Sequence, residues 1–126
     1  MSVTESPVVL VAEDDPSVRM TLEFVLQDEG FSVLVAGDGE QALAMAREVR
    51  PDVILLDHMM PKLAGRQVFE ALRGSHATSS IPVFVMTGMA QWAGEEWPGA
   101  HFVGKPFSPD DLIARIRGVL DGTSDT

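Results

Sequence analysis

Five side chains stand at the ends of four short apolar runs: Glu13, Asp14, Asp57, Thr87 and Lys105. Residues 8–12 run straight into Glu13-Asp14-Asp15, and residues 53–56 run into Asp57. Residues 82–86 lead to Thr87, and a short run, residues 101–103, precedes Lys105. Carboxylate oxygens suit a hard divalent cation, and Mg²⁺ takes about six oxygens, some of them from water. Carboxylates held close together raise one another's pKa; a cation removes that conflict and can also bridge a phosphoryl oxygen. A hydroxyl and an ammonium can bind the remaining phosphoryl oxygens. The chemistry these residue types share is metal-assisted handling of a phosphoryl group.

Such residues lie far apart in sequence, so a fold must gather them. Pro16 sits where a first helical residue belongs, with Asp15 as its cap. Val18, Leu22, Val25 and Leu26 mark one face of a helix that Gly30 ends. Phe31, Val33 and Val35 give a second strand, and Ala42, Leu43, Ala46 and Val49 a second helix, broken at Arg50-Pro51. After the third strand and the Met60-Pro61 loop, Val68, Phe69 and Leu72 predict a short helix up to Gly74, followed by a polar linker to Ser80. Ser108-Pro109 opens a last helix carrying Leu112, Ile113, Ile116, Val119 and Leu120.

Alternating strands and helices predict an α/β fold with a parallel sheet and helices on both faces. Strands one, three and four are continuously apolar, as strands covered on both faces must be, whereas two and five have the interrupted or short pattern of edges. Right-handed crossovers then favour the order 2-1-3-4-5, a flavodoxin-like, doubly wound five-stranded sheet. Ligands in such sheets bind at the carboxyl ends of the strands, where all five side chains are expected.

At these residues the chain resembles a known family. Val11-Ala12-Glu13-Asp14-Asp15, Leu55-Leu56-Asp57-His58-Met59-Met60-Pro61 with Gly65, Val85-Met86-Thr87-Gly88 and Lys105-Pro106-Phe107 resemble the signature of the two-component response-regulator receiver domain, of the chemotaxis-regulator kind. The motifs fall in the right order, and the likeness covers roughly residues 7–120. It implies that Asp57 is the phosphoacceptor, charged by a histidine kinase or a histidine phosphotransfer protein. Glu13, Asp14, Asp57 and the backbone carbonyl of Met59 would hold Mg²⁺, or Mn²⁺ in its place. Thr87 would bind a phosphoryl oxygen and move on activation, Lys105 would pair with the phosphoryl group, and Phe102 stands at the aromatic switch position. A downstream target protein would read the switched surface formed by Thr87, Phe102 and a short fourth helix.

Two features depart from the family's usual pattern. The stretch from Thr87 to Lys105 is shorter by roughly one helical turn, and Gly88, Gly94, Pro98 and Gly99 leave room for only about two turns of fourth helix. Both tryptophans, Trp92 and Trp97, fall there and are expected as an exposed pair on a partner surface. Met59 and Met89, two residues past Asp57 and Thr87, place apolar groups at the rim where relatives often carry polar ones. His58 should point away from Asp57, because neighbouring strand residues face opposite sides. An aspartyl-nucleophile phosphohydrolase is the alternative, but such enzymes usually carry an acid two residues after the nucleophile, where this chain has Met59. A flavin-binding relative would need a phosphate-cradling loop after strand one in place of Glu13-Asp14-Asp15.

Composition narrows the class further. The 126 residues suffice for one domain, expected at residues 7–121 with flexible termini at 1–6 and 122–126. An apolar fraction of 45% argues against wholesale disorder, and no run is long enough to span a bilayer. There are no cysteines, which excludes disulfides and thiol chemistry. A net charge of −10, with the bases scattered, argues against direct contact with nucleic acid or a membrane. The expectation is a cytoplasmic switching module rather than an enzyme, a monomer or weak dimer. It would be either a single-domain regulator, which Met1 and the short polar tail favour, or a piece of a longer protein.

Overall fold

Strand and helix alternate through the first four strands as the apolar pattern requires. The computed structural model describes residues 6–88, 97 and 99–122. In chain order the elements are β1 (Val8–Ala12), α1 (Pro16–Asp28), β2 (Ser32–Ala36), α2 (Gly39–Val49), β3 (Val53–Asp57), α3 (Gly65–Arg73), β4 (Val83–Thr87), β5 (His101–Gly104) and α4 (Pro109–Asp121). Every strand pairing is parallel and the order is β2-β1-β3-β4-β5, the doubly wound, flavodoxin-like arrangement. The short helix expected after β4 lies outside the described residues, except for Gly88, Trp97 and Gly99. The expected flexible termini lie outside them too, except for Ser6 and Gly122. No helix among the described residues is long and apolar enough to cross a membrane.

The period-2 alternation of the strands divides the core into two layers. Leu10, Ile54, Leu56, Val83 and Val85 pack against Ala42 and Ala46 of α2 and Val68, Phe69 and Leu72 of α3. Val9, Val11, Val53, Leu55, Phe84, Met86 and Val103 pack against Leu22 and Leu26 of α1 and Leu112, Ile113 and Ile116 of α4. Every residue of β3 and β4 is therefore buried, while the edge strand β2 buries only its last residue fully.

Local chemistry sets the element ends. Asp15 Oδ1 accepts hydrogen bonds from the backbone N–H of Ser17 (2.9 Å) and Val18 (3.4 Å), with Pro16 in the first turn of α1. Ser108 caps α4 in the same way through Asp111 N–H. Phe31 precedes β2 and is buried in the layer beneath α1 and α4. The linker after α3 is less solvated than its polar sequence implies. Thr78 is completely buried and its hydroxyl donates to the Leu72 carbonyl at 2.7 Å, joining the Ser75 N–H (3.3 Å) at that acceptor where α3 ends.

Because β3 is covered on both faces, adjacent leucines should be equally sensitive. Leu55→Ala and Leu56→Ala are each expected to cost about 2–5 kcal/mol in urea denaturation. Met20→Ala, on the outward face of α1 at 65% exposure, should stay within about 0.5 kcal/mol of the unmodified protein. If either leucine proves as tolerant as Met20, the face it points to is not sealed.

Candidate functional site

Strand register brings the five side chains together. Ala12 lies level with Leu56, Asp57 with Met86, and Thr87 with Gly104, so the carboxyl ends of β1, β3, β4 and β5 finish at one rim. Main-chain bonds carry the alignment one residue further. Glu13 N–H donates to Ala36 O at 3.0 Å, His58 N–H to Met86 O at 2.9 Å, and Lys105 N–H to Thr87 O at 2.7 Å. The result is a cleft of about 360 Å³ bordered by Glu13, Asp14, Asp57, Met59, Thr87 and Lys105.

The Lys105 ammonium holds the cleft together. Its Nζ lies 3.0 Å from Glu13 Oε1 and 3.2 Å from Asp57 Oδ1, one cation donating to two buried acids. Glu13 is 1% exposed, and its second oxygen accepts the Asp15 N–H at 3.1 Å. The Arg19 guanidinium donates to the Glu13 carbonyl at 3.0 Å and so anchors the turn between β1 and α1. Burial, reinforced by the Glu13 charge, pushes the Asp57 carboxyl up to about 7 against the pull of Lys105. Burial by itself would lower Lys105, but its bonds to Glu13 and Asp57 outweigh this and raise it above its usual value.

Glu13, Asp14 and Asp57 each offer a carboxylate oxygen within 4.8 Å of the others. A hard-oxygen donor set of that size suits a small divalent cation of the Mg²⁺ class. The loop after Asp57 depends on a glycine. A Cβ on Gly65 would fall 2.5 Å from the Asp57 carbonyl oxygen, and the Gly65 N–H donates to His58 O at 3.2 Å. Only a residue without a side chain lets α3 begin so close to the acidic end of β3.

Other expected residues fall as follows. Thr87 is buried at the cleft wall, at 5% exposure. His58 packs away from the acid pair, its ring 5.7 Å from that of Trp97. Phe102 is half-buried and meets Trp97 edge-on at 5.5 Å, and its carbonyl accepts a hydrogen bond from Arg115 at 2.9 Å. Met59 is 68% exposed on the rim.

One expectation needs correction. Trp97 is not on an exposed surface but 4% exposed, enclosed by His58, Phe69, Phe102 and the Arg66 guanidinium. Its apolar area is worth more against α3 than in water, and glycine and proline neighbours carry no signal of that burial. Trp92 and Met89 lie outside the described residues. Arg19 was not foreseen; nothing in its helical position marks a side chain that reaches back to a strand-end carbonyl.

Comparisons with known proteins agree with the fold and the sequence motifs. Residues 9–117 match the family model described as the response regulator receiver domain. The DNA-binding response regulator MtrA of Mycolicibacterium smegmatis is 41% identical over 121 residues, covering 93% of this chain and 52% of that protein. The chain thus spans about half the length of the curated relatives it matches. Among solved structures, the receiver domain of Francisella response regulator 1452 aligns at TM-score 0.84 with 31% identity, covering 94% of this chain and 100% of that one. Vibrio cholerae chemotaxis protein CheY4 aligns at TM-score 0.82 with 30% identity, covering 91% and 99%.

The crowded carboxylates make stability depend on pH with a definite sign. Asp57 titrates near 3.8 when unfolded and at about 7 when folded. Between those values the folded state holds a proton that the unfolded chain has released, so stability falls as pH rises through that window. Asp57→Asn removes the titration, and it should raise the unfolding midpoint at about pH 8 clearly more than at about pH 5. An equal effect at both would show that Asp57 is not strained by ionisation.

Proposed function

The chain belongs to the response regulator receiver domain family of two-component signalling, whose members switch through phosphorylation of an aspartate, and from that premise we propose that Asp57 is the phosphoacceptor. One observation carries the reading. Lys105 reaches Glu13 and Asp57 at once, with Asp14 beside them, in a single cleft. A carboxylate oxygen of Asp57 attacks the phosphorus of a phosphohistidine, the P–N bond breaks as the P–O bond forms, and an acyl phosphate results. The donor is a histidine kinase or a histidine phosphotransfer protein.

Glu13, Asp14, Asp57 and the Met59 carbonyl would hold Mg²⁺ in this reading, or Mn²⁺ in its place; when bound it would supply positive charge against the carboxylates and the phosphoryl oxygens. Lys105 turns from the free Asp57 carboxylate to the phosphoryl group, to which it is already aimed. Thr87 supplies a hydroxyl to another phosphoryl oxygen from the end of β4. Buried Thr87 and half-buried Phe102 form the switch in this reading, with the residues between β4 and β5 as the surface read by a downstream target protein.

The domain is taken as residues 7–121, acting as a cytoplasmic switch, monomeric or weakly dimeric, rather than as an enzyme with an external product. Contact with DNA is assigned to no residue of this acidic chain. Hydrolysis of free phosphomonoesters is not favoured, because the position two after Asp57 is Met59.

Two measurements test the proposal. With Mg²⁺ and a small phosphoryl donor, intact mass should show one added phosphoryl group, lost in Asp57→Asn; undiminished labelling of that variant would remove Asp57 from its role. In a Trp92→Phe variant, Trp97 is the sole tryptophan. Its emission should shift when Asp57 is phosphorylated, because Trp97 touches both Phe102 and His58. Unchanged emission would mean that the switch bypasses this cluster.

A further inference from the structure

The metal reading above relies on three carboxylates and one main-chain oxygen, that of Met59. The carboxylates are placed by strand ends, but Met59 lies in the loop between β3 and α3, where no strand partner sets its position. Two glycine N–H groups bracket that residue. Gly65 N–H donates to the carbonyl of His58, one residue before it, at 3.2 Å. Gly39 N–H donates to the carbonyl of Pro61, two residues after it, at 3.4 Å.

Gly65 belongs to the loop's own helix, whereas Gly39 begins α2 and comes from a different part of the chain. It is buried, and a Cβ at this position would collide with the Leu63 carbonyl oxygen and fall 2.6 Å from Leu63 Cβ and 2.7 Å from its carbonyl carbon. Most of what it would strike is backbone, which cannot swing aside. The contact is reinforced next door: Asp38 Oδ2 lies 3.5 Å from Lys62 Nζ while Asp38 Oδ1 caps Gln41 N–H at 2.8 Å. Lys62 itself has φ 71, so the loop adopts a turn that a side-chain-bearing residue rarely takes without support.

We propose that Gly39 is a positioning residue for the divalent-cation site: by admitting the 61–63 backbone against the start of α2, it sets where the Met59 carbonyl points. The three atoms nearest a Cβ at this position all belong to Leu63, so its effect reaches the site through the loop. Groups that orient metal ligands from behind typically change affinity roughly 10–100-fold when altered. The inference rests on the assignment of Glu13, Asp14, Asp57 and the Met59 carbonyl as ligands.

Calorimetric titration of the full chain with Mg²⁺, without phosphoryl donor, tests it. Gly39→Ala adds one methyl group and no charge, and should bind Mg²⁺ roughly 10-fold or more weakly. Ala46→Gly, on the same helix and facing the core, perturbs α2 without touching the loop and should stay within about twofold. If Gly39→Ala does not fold by circular dichroism, Leu63→Gly decides in its place: it frees the backbone that packs against Gly39 and should weaken Mg²⁺ binding likewise. Gly39→Ala binding as tightly as the unmodified chain, or Ala46→Gly losing as much, overturns the inference and leaves the ligand assignment standing. Failure of the unmodified chain to bind Mg²⁺ overturns the ligand assignment first, and the inference with it.

Discussion

Like charges confined at a sheet rim are the constraint around which this molecule is arranged. Glu13 and Asp57 are both buried, on neighbouring strands, with Asp14 close by. Two such groups left alone would push each other toward the protonated form. Lys105 answers that repulsion from β5's side of the sheet, a single ammonium shared between two acids. The compensation is incomplete, since Asp57 remains far above the usual carboxylate range. A carboxylate that is costly to ionise leaves the rim short of positive charge, and an incoming cation relieves that shortage.

Much of this was legible in sequence because the physics is local. Continuous apolar runs at 8–12, 53–56 and 83–86, short and bounded by turn signals, read as strands covered on both faces, and the parallel order follows from connection length and handedness. The acids then mark strand ends because a charge cannot continue such a run. What sequence could not convey was contact between side chains on different elements. Trp97, flanked by glycine and proline, reads as a surface residue, yet it closes the layer over Phe69 and Phe102. The guanidinium of Arg19 reaching the Glu13 carbonyl, and Thr78 reaching Leu72, are likewise invisible to periodicity. The close approach of Gly39 to Leu63 joins segments whose sequences give no hint of one another.

The two layers of the core also divide the labour of the site. Strand residues that face α1 and α4 are aliphatic or aromatic in ordinary packing and hold the rim rigid. On the other side, His58, Phe69, Trp97 and Phe102 form one aromatic cluster directly behind the acid pair, with Arg66 over the indole. Rings in tilted and edge-on contact lose much of their mutual attraction if one member turns. His58, the immediate neighbour of Asp57 in the chain, is the member that joins this cluster to the acid pair.

The hydrogen bond from Lys105 N–H to the Thr87 carbonyl has a consequence for how this architecture diversifies. It fastens the point where the chain leaves β4 to the point where it re-enters the rim after β5. The strand pairing places His101 level with Phe84, so the excursion leaves at the rim and returns to β5 at the opposite end of the sheet. Between those two fixed ends, lengthening or trimming it costs chiefly the slowly growing entropy of closing a loop, and the bond after β5 keeps the rim tied. In the reading proposed above the output surface sits on that excursion, as a fitting sits in a socket, while the acids keep their place beneath it.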